Sequence, residues 1–196
     1  MRIGAETEMK LILLRHGITE ANEKHLYCGA TDIGLSEAGK EALLRRKAQI
    51  TYPDLSGMRV VTSGMKRCEE TLRLLYGDVE HETDAAFREM DFGLFEMRSY
   101  EEMKTDPAYI AWITGDNEAN VAPGGESGRL MTQRVLAGLD RMAAQNRDTL
   151  LVTHGGVIAA IMSHIFPAEQ KNRYEWQPAP GGGHLINCRE RQFRSF

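Results

Sequence analysis

The sequence predicts a three-layer α/β fold, in which a mostly parallel central sheet is flanked by helices. Residues 9–15, 58–63 and 149–153 are short, nearly continuous apolar segments, as expected of strands that are buried on both faces. Segments of helical composition separate them along the chain. Strands that alternate with helices are typical of layered α/β proteins whose sheet is largely parallel.

The predicted elements alternate in this way from one end of the chain to the other. The strand at 9–15 is followed by a helix that begins after the N-cap residue Ser36 and runs to about residue 50. The strand at 58–63 precedes a helix over 64–76. Beyond it we expect, in chain order, a short strand at 79–83, a loop around 88–95, two short helices in 99–114 interrupted at Asp106-Pro107, a helix at 126–144, a strand at 149–153, a helix at 157–165 and a last strand at about 184–188.

Length and composition indicate a single domain over residues 1–196. Hydrophobic content of 42% and charged content of 27% are ordinary for a globular protein with one sizeable core. The net charge of −4 gives no general attraction to nucleic acid or to an anionic membrane surface, so we expect neither as a partner. Cys28, Cys68 and Cys188 are widely spaced and odd in number, which favours reduced thiols over a disulfide or zinc site. No apolar run is long enough for a signal peptide or a membrane span, so we expect a cytoplasmic protein.

Cations and imidazoles follow three of the predicted strands. Arg15 and His16 end the first strand, Ser63 ends the second with Arg67 one turn later, and His154 follows the strand at 149–153. Each residue alone is more often structural, since a histidine at a strand end is commonly just hydrogen-bonded and Arg67 could be solvated. However, the carboxyl ends of parallel strands share one sheet edge, which is where such folds bind ligands. Three such coincidences at one edge favour a binding site for an anion.

These residue types fit phosphoryl transfer. Two arginines can grip the oxygens of a phosphoryl group in forked geometry, and a helix N-terminus adds favourable partial charge. A neutral imidazole can attack phosphorus and form a phosphohistidine, while a second histidine stabilises the charge on the oxygens. The sequence contains no DxD, HExxH or Walker pattern, so we expect no metal and no other cofactor.

An ordered set of motifs then identifies a family. The segments are LLRHGITEAN at 13–22, YCGATDIGLSEAG at 27–39, the spacing of Ser63, Arg67 and Thr71, FREMDFGLFE at 87–96, PGGES at 123–127 and VTHGG at 152–156. In this order, over nearly the whole chain, they resemble the histidine phosphatase superfamily, which includes the cofactor-dependent phosphoglycerate mutases. The resemblance implies a phosphoglycerate mutase-like fold and a metal-independent phosphomonoester hydrolase.

The resemblance also implies a role for each site residue. His16 is then the nucleophile, Glu89 is the general acid and base, and Arg15, Arg67 and His154 form the phosphate pocket. Asp91 is a weaker rival for the acid, and Glu96 is interpreted as structural. The further substrate-binding positions that follow from the motifs are Thr19, Asn22, Cys28, Gly29 and Gly155.

Substrate choice is expected to depend on residues 97–122, a small helical cap over the pocket. Acidic residues outnumber the cations Arg98 and Lys104 there, which disfavours a small polyanion and favours a larger, neutral leaving group. Tyr100, Tyr109 and Trp112 could stack on a ring, or could equally pack the cap onto the core.

Several functions within this family stay open. The Glu-Met-Arg sequence at 96–98 resembles some α-ribazole phosphatases of cobalamin assembly, so α-ribazole 5′-phosphate is the first substrate hypothesis. The alternatives are a broad-specificity phosphatase and a cofactor-dependent phosphoglycerate mutase, although related mutases carry a longer, basic insertion over the pocket. A non-catalytic binding module is disfavoured because His16, both arginines and Glu89 are all retained.

Overall fold

The computed structural model describes residues 8–116 and 118–196 and shows the expected α/β layers. The strands are β1 (Lys10–Arg15), β2 (Arg59–Thr62), β3 (Glu82–Thr83), β4 (Thr149–Thr153), β5 (Gly183–Asn187) and β6 (Gln192–Ser195). They form one six-stranded sheet in the order β3-β2-β4-β1-β5-β6. The pairings among β1 to β4 are parallel, whereas β5 and β6 are antiparallel to their neighbours. The prediction of a mostly parallel central sheet is therefore confirmed.

Helices pack on the two faces of this sheet, and two short helices lie in the segment 97–122, which is called the cap below. They are α1 (Glu20–Glu23), α2 (Glu37–Gln49), α3 (Lys66–Tyr76), α4 (Tyr100–Met103), α5 (Pro107–Ile113), α6 (Gly128–Ala143) and α7 (Gly155–Ile165). Ser36 caps α2 as predicted, because its side chain accepts a hydrogen bond from the backbone N–H of Gly39. Within the described residues, no helix is both long and apolar enough to cross a membrane.

The apolar residues of β1 supply both faces of the core. Leu11 and Leu13 pack in one buried cluster with residues of α6 and α7. Ile12 and Leu14, which point to the opposite face, pack in a second cluster with residues of α2 and α3. This alternation explains why the strand reads as continuously hydrophobic: side chains on both faces of a central strand are covered by helices.

The parallel strands bring their ends to one edge of the sheet. Backbone hydrogen bonds continue past these ends, from His16 N to the Thr153 carbonyl over 3.0 Å and from Ser63 N to the Val152 carbonyl over 3.2 Å. His154, which follows β4, is the N-cap residue of α7. The residues singled out from the sequence are therefore fixed next to one another by the sheet itself.

The structure differs from the predicted elements mainly at two short segments, one after β5 and one after β1. The strand at 184–188 was wrongly predicted to be the last, because β6 pairs with it as a hairpin. That strand was missed since it is short and its side chains are mostly polar and exposed. The four-residue α1 was also not predicted. The proposed domain limits of 1–196 include residues 1–7 and 117, which lie outside the described residues.

Candidate active site

A cavity of about 410 Å³ opens at the edge of the sheet where the parallel strands end. Arg15 and His16 from the end of β1 contribute to its lining, together with Arg67 from α3 and Glu89 from the loop that precedes the cap. Gly155, the first residue of α7, lies on the same lining. The fold thus assembles residues from four distant segments, as the sequence predicts.

His16 is buried beside this cavity, and its ring is hydrogen-bonded to the backbone of the next residue, Gly17. Its Nδ1 lies 2.7 Å from the carbonyl oxygen of Gly17, which can only accept a hydrogen bond, so Nδ1 carries the proton. Burial and the nearby guanidinium of Arg67 lower the pKa of His16 to about 3. The ring is therefore neutral at physiological pH and its Nε2 lone pair is available as a nucleophile.

Arg15 places a desolvated positive charge beside this nucleophile. One of its terminal nitrogens donates to the Pro178 carbonyl over 2.9 Å, whereas its buried Nε has no hydrogen-bond partner among the described residues. Burial lowers the pKa of Arg15, and the negative charge of Glu89 partly opposes this effect. A guanidinium in these surroundings remains charged and favours an anion in the cavity.

Arg67 is almost completely buried and is fixed in position by three hydrogen bonds. It donates to the carbonyls of Gly29 and Thr31 over 2.7 and 2.9 Å, and its Nε donates to His154 Nδ1 over 3.2 Å. All three acceptors are uncharged, and a guanidinium has more N–H groups than these bonds use. Arg67 can therefore hold its position and still donate to a phosphoryl oxygen.

His154 is not on the cavity lining and lies deeper in the protein than His16 and Arg67. It is fully buried, and its ring meets that of His16 edge-on with 5.2 Å between centroids. Because Nδ1 accepts from Arg67, Nε2 carries the proton and donates to Ser63 Oγ over 2.9 Å. Burial and the charge of Arg67 lower the pKa of His154, so it too is neutral. In this arrangement both ring nitrogens bind protein groups, and direct contact of His154 with phosphate stays a prediction.

The side chain of Glu89 lines the cavity and contacts the first turn of α7. One carboxylate oxygen accepts a 2.9 Å hydrogen bond from the Gly156 N–H, and the other accepts from the Met90 N–H over 3.0 Å. A Cβ atom at Gly156 would lie 2.4 Å from Glu89 Oε1, so only glycine leaves room for this contact. The first turn of α7 thus holds the carboxylate that the sequence assigns as general acid.

A half-buried ion pair supports the backbone of the loop that carries Glu89. Arg134 of α6 donates to the carbonyls of Ala86, Arg88 and Glu89 over 2.7 to 3.0 Å. The same guanidinium makes two 2.7 Å bonds to Glu126. Glu126 belongs to the PGGES motif, for which no role was predicted, and Arg134 was not predicted as a site residue. Glu126 precedes α6 and lies eight positions from Arg134, so the i,i+3 and i,i+4 spacing of helical pairs does not predict this contact.

The remaining predicted substrate-binding residues divide into two groups. Thr19 and Asn22 line the cavity, and they also cap α1 by bonding to each other's backbone N–H groups. Cys28 lines the cavity, and burial raises the pKa of its thiol, so it is an uncharged surface there. Gly29 does not lie on the cavity lining: its carbonyl accepts from Arg67 and its N–H donates to Glu96. A side chain has no room at Gly29, where a Cβ atom would lie 1.6 Å from the Met90 carbonyl oxygen.

Glu96 fixes the loop that contains Gly29 through hydrogen bonds to its backbone. Its carboxylate accepts hydrogen bonds from the N–H groups of Gly29, Ala30, Thr31 and Phe92 over 2.9 to 3.2 Å. Burial raises the pKa of Glu96, but the hydrogen bonds to Thr31 and the backbone outweigh it and the pKa is lowered. This arrangement agrees with the structural role expected for Glu96.

The cap covers the other end of the cavity with aromatic residues. Tyr109 is buried in a cluster with Phe95 and Met103, and its hydroxyl lies 2.8 Å from that of Tyr27. Trp112 lines the cavity, whereas Tyr100 is exposed and lies outside the lining. Of the two interpretations left open for these aromatics, packing fits Tyr109, and a position beside the ligand fits Trp112.

The segment between α7 and β5 also lines the cavity, which sequence reasoning missed. It contributes Arg173, Tyr174 and Gln177. These residues lie in a stretch without regular periodicity and carry no motif, so the sequence offered no signal for them. No cluster of His, Cys, Asp and Glu side chains within the described part of the chain could hold a metal ion.

Comparison with known proteins agrees with this geometry. The sequence profile of the histidine phosphatase superfamily (branch 1) matches residues 11–195. The adenosylcobalamin/α-ribazole phosphatase of Salmonella typhimurium is 31% identical over 163 residues, which cover 80% of this chain and 79% of that protein. A 2,3-bisphosphoglycerate-dependent phosphoglycerate mutase of Parvibaculum lavamentivorans is 26% identical, over 82% of this chain and 81% of its own length. The crystal structure of the α-ribazole phosphatase from Shigella flexneri superimposes with a TM-score of 0.81 at 27% identity, covering 94% of this chain and 93% of that one.

Proposed function

The chain belongs to the histidine phosphatase superfamily, and we propose that it hydrolyses α-ribazole 5′-phosphate through a phosphohistidine formed on His16. The observation that carries this proposal is the state of His16. A neutral ring with its proton held on Nδ1 lies at a cavity that is also lined by Arg15 and Arg67. That combination supplies a nucleophile and charge complementarity for a phosphoryl group at the same point.

In the first half of the reaction, His16 Nε2 forms a bond to phosphorus as the bond from phosphorus to the ester oxygen breaks. The Nδ1–H bond to the Gly17 carbonyl stabilises the positive charge that develops on the imidazole. Glu89, in its protonated form, donates its proton to the departing alkoxide. Arg15 and Arg67 stabilise the charge on the transferring oxygens.

In the second half, water attacks the phosphohistidine. Glu89, now a carboxylate, takes the proton of the attacking water as its oxygen bonds to phosphorus and the bond to Nε2 breaks. The products are inorganic phosphate and a neutral His16, with the proton restored to Glu89. The hydrogen bonds from Gly156 and Met90 keep the carboxylate in position for both steps.

The choice of substrate is supported by the aromatic end of the cavity and by the relatives. Trp112, Tyr27 and Phe92 present apolar surface there, which suits a neutral ring better than a small polyanion such as bisphosphoglycerate. Arg173, a cation beside this end, is already paired with Glu118 over 2.8 Å. Relatives named as adenosylcobalamin/α-ribazole phosphatases agree with a ring-bearing leaving group. A small phosphate monoester as the partner and a cytoplasmic location remain predictions from the sequence.

The test is a hydrolysis screen with chelator present, over α-ribazole 5′-phosphate, 3-phosphoglycerate, phosphoserine and sugar phosphates, with His16→Ala as the control. We expect α-ribazole 5′-phosphate to be hydrolysed with the highest kcat/KM and the variant to be inactive. Weak activity spread over many esters would instead indicate a generalist phosphatase. Transfer of phosphate between positions of phosphoglycerate would indicate a mutase.

A further inference from the structure

Two aromatic side chains from separate elements line the apolar end of the catalytic cavity. Trp112 comes from α5 in the cap, and Tyr174 comes from the segment between α7 and β5. In the proposed reaction Arg15 and Arg67 bind the phosphoryl group, so the leaving group of the ester would extend toward these aromatic residues on the same lining. They would then contact the part of the substrate that differs between one phosphate ester and another.

Trp112 is held rigidly by other aromatic rings. Its ring lies 5.3 Å from Phe95, 5.7 Å from Tyr27 and 5.8 Å from Tyr109, measured between centroids. Tyr27 is in turn fixed by its hydroxyl bond to Tyr109. Because these contacts restrict the indole before any ligand binds, little conformational entropy would be lost on stacking.

Tyr174 has the opposite character, since 77% of it is exposed to solvent. Its backbone is nevertheless ordered by a short turn, in which the Asn172 side chain accepts from the N–H groups of Tyr174 and Glu175. The neighbouring Arg173 ties this turn to the cap through its ion pair with Glu118. A large aromatic ring is thus presented at the cavity with most of its surface uncovered.

The charges at this end of the cavity favour a neutral ligand. The cation of Arg173 is matched by Glu118, so no unpaired positive charge from this pair faces the leaving group. Gln177, which also lines the cavity, lies beside Gly155 and Arg15 and not among the aromatic residues. Apolar aromatic surface suits a planar, uncharged ring better than a carboxylate or a second phosphate.

We infer that Trp112 and Tyr174 form a ring-binding subsite that selects phosphate esters whose leaving group carries a planar, uncharged heteroaromatic ring. This inference deepens the proposed function and rests on it for the direction in which the ester lies. Stacking of one ring on an aromatic side chain typically changes affinity by about 10-fold or more. Tyr174 is the better probe, because it is exposed and its removal does not disturb the packing of the cap.

The experiment compares α-ribazole 5′-phosphate, the ring-bearing ester, with ribose 5-phosphate, which has the same type of ester but no aromatic ring. We expect Tyr174→Ala to lower kcat/KM for the ring-bearing ester about 10-fold and to change that for ribose 5-phosphate less than about 2-fold. Tyr174→Phe keeps the ring and should retain the preference. Tyr100→Ala is the matched control, since Tyr100 is also an exposed aromatic residue but lies in the cap and outside the cavity lining. An equal effect of Tyr174→Ala on both esters, or none on either, would overturn the subsite.

Failure of the proposed substrate would look different. If the wild-type enzyme prefers a different nucleoside 5′-phosphate, α-ribazole 5′-phosphate is not the substrate, yet loss of that preference in Tyr174→Ala would still support the subsite. If no ester is hydrolysed, calorimetric titration of α-ribazole 5′-phosphate and ribose 5-phosphate into His16→Ala decides the question. Tighter binding of the ring-bearing ester than of ribose 5-phosphate supports the subsite if adding Tyr174→Ala to the same protein removes the difference. Equal binding of the two esters to His16→Ala refutes it.

Discussion

A substitution at Gly156 can displace the carboxylate of Glu89, the proposed general acid, without replacing Glu89 itself. In Gly156→Ala, the new Cβ would lie 2.4 Å from Glu89 Oε1, whereas non-bonded heavy atoms normally stay roughly 3.5 Å apart or more. The carboxylate must therefore retreat by about 1 Å. Such a displacement of a catalytic group can lower the rate about 100-fold, which corresponds to about 2.7 kcal/mol in the activation free energy.

Stability should not fall in the same variant. Gly156 lies in the first turn of α7 and its φ is not in the left-handed region, so alanine fits the backbone there. Alanine is favoured over glycine in a helix by about 0.5–1 kcal/mol. The group that clashes is the end of a flexible side chain, so we expect the melting temperature to stay the same or to rise.

The assay separates the acid role of Glu89 from general damage by varying the leaving group. An alkyl monoester needs its leaving oxygen to be protonated, whereas a nitrophenyl ester does not. We expect kcat/KM to fall about 100-fold for the alkyl ester and far less for the nitrophenyl ester. Gly34→Ala is the matched control, because its Cβ would lie 2.6 Å from a carboxylate oxygen of Glu70, away from the cavity lining. Equal losses on both esters, or no loss, would refute the role assigned to Glu89.

Three further predictions follow from the supporting contacts. Arg134→Lys keeps the charge but cannot bond to Glu126 and three carbonyls at once, so we expect kcat to fall about 10-fold with little change in KM, as steady-state kinetics would show. Glu96→Gln places an amide N–H against backbone N–H groups, so the free energy of unfolding in urea should fall by about 1–3 kcal/mol. Inhibition by inorganic phosphate should also weaken, because Glu96 holds Gly29, whose carbonyl accepts a hydrogen bond from Arg67. His16 should keep its neutral Nδ1–H form down to pH 5 in NMR spectra of labelled histidine, with assignment by His16→Gln.

The same property of His16 predicts how stability depends on pH. Its pKa is about 3 in the folded protein and about 6.5 in an unfolded chain, so between these values the unfolded state binds more protons. Stability is therefore lost as the pH falls below about 6.5, by up to roughly 1.4 kcal/mol per pH unit for this group. His154 acts in the same direction. Denaturation of His16→Gln should show a shallower loss between pH 6.5 and 5, and an unchanged slope would contradict the buried neutral state.

The sequence predicted the nucleophilic end of the site because that end is built from strand termini. Arg15, His16 and His154 lie at the ends of strands that are nearly continuous apolar runs in the sequence, and the carboxyl ends of parallel strands share one edge. The motif spacing then placed Arg67 and Glu89 correctly on the same cavity. The part of the site that depends on strand ends and motif spacing could therefore be predicted from the sequence.

The supporting contacts were not recoverable in the same way. Arg134 acts on carbonyls more than 40 positions away, and no local pattern encodes such a contact. Tyr174 and Gln177 belong to an irregular segment whose course depends on tertiary packing. Periodicity also could not show that His154 uses both ring nitrogens within the protein, because hydrogen-bond partners depend on side-chain orientation.

The central claim is that His16 carries the phosphoryl group, and trapping the intermediate tests it most directly. Glu89→Gln should accept phosphate from a nitrophenyl ester, which needs no acid, but release it slowly because the base for water is missing. After an alkaline quench, which preserves phosphohistidine, intact-protein mass spectrometry should show one added phosphoryl group, and peptide mapping should locate it on His16. The label should be absent in a variant that also carries His16→Ala. A label on another residue, or hydrolysis that His16→Ala leaves unchanged, would contradict the mechanism.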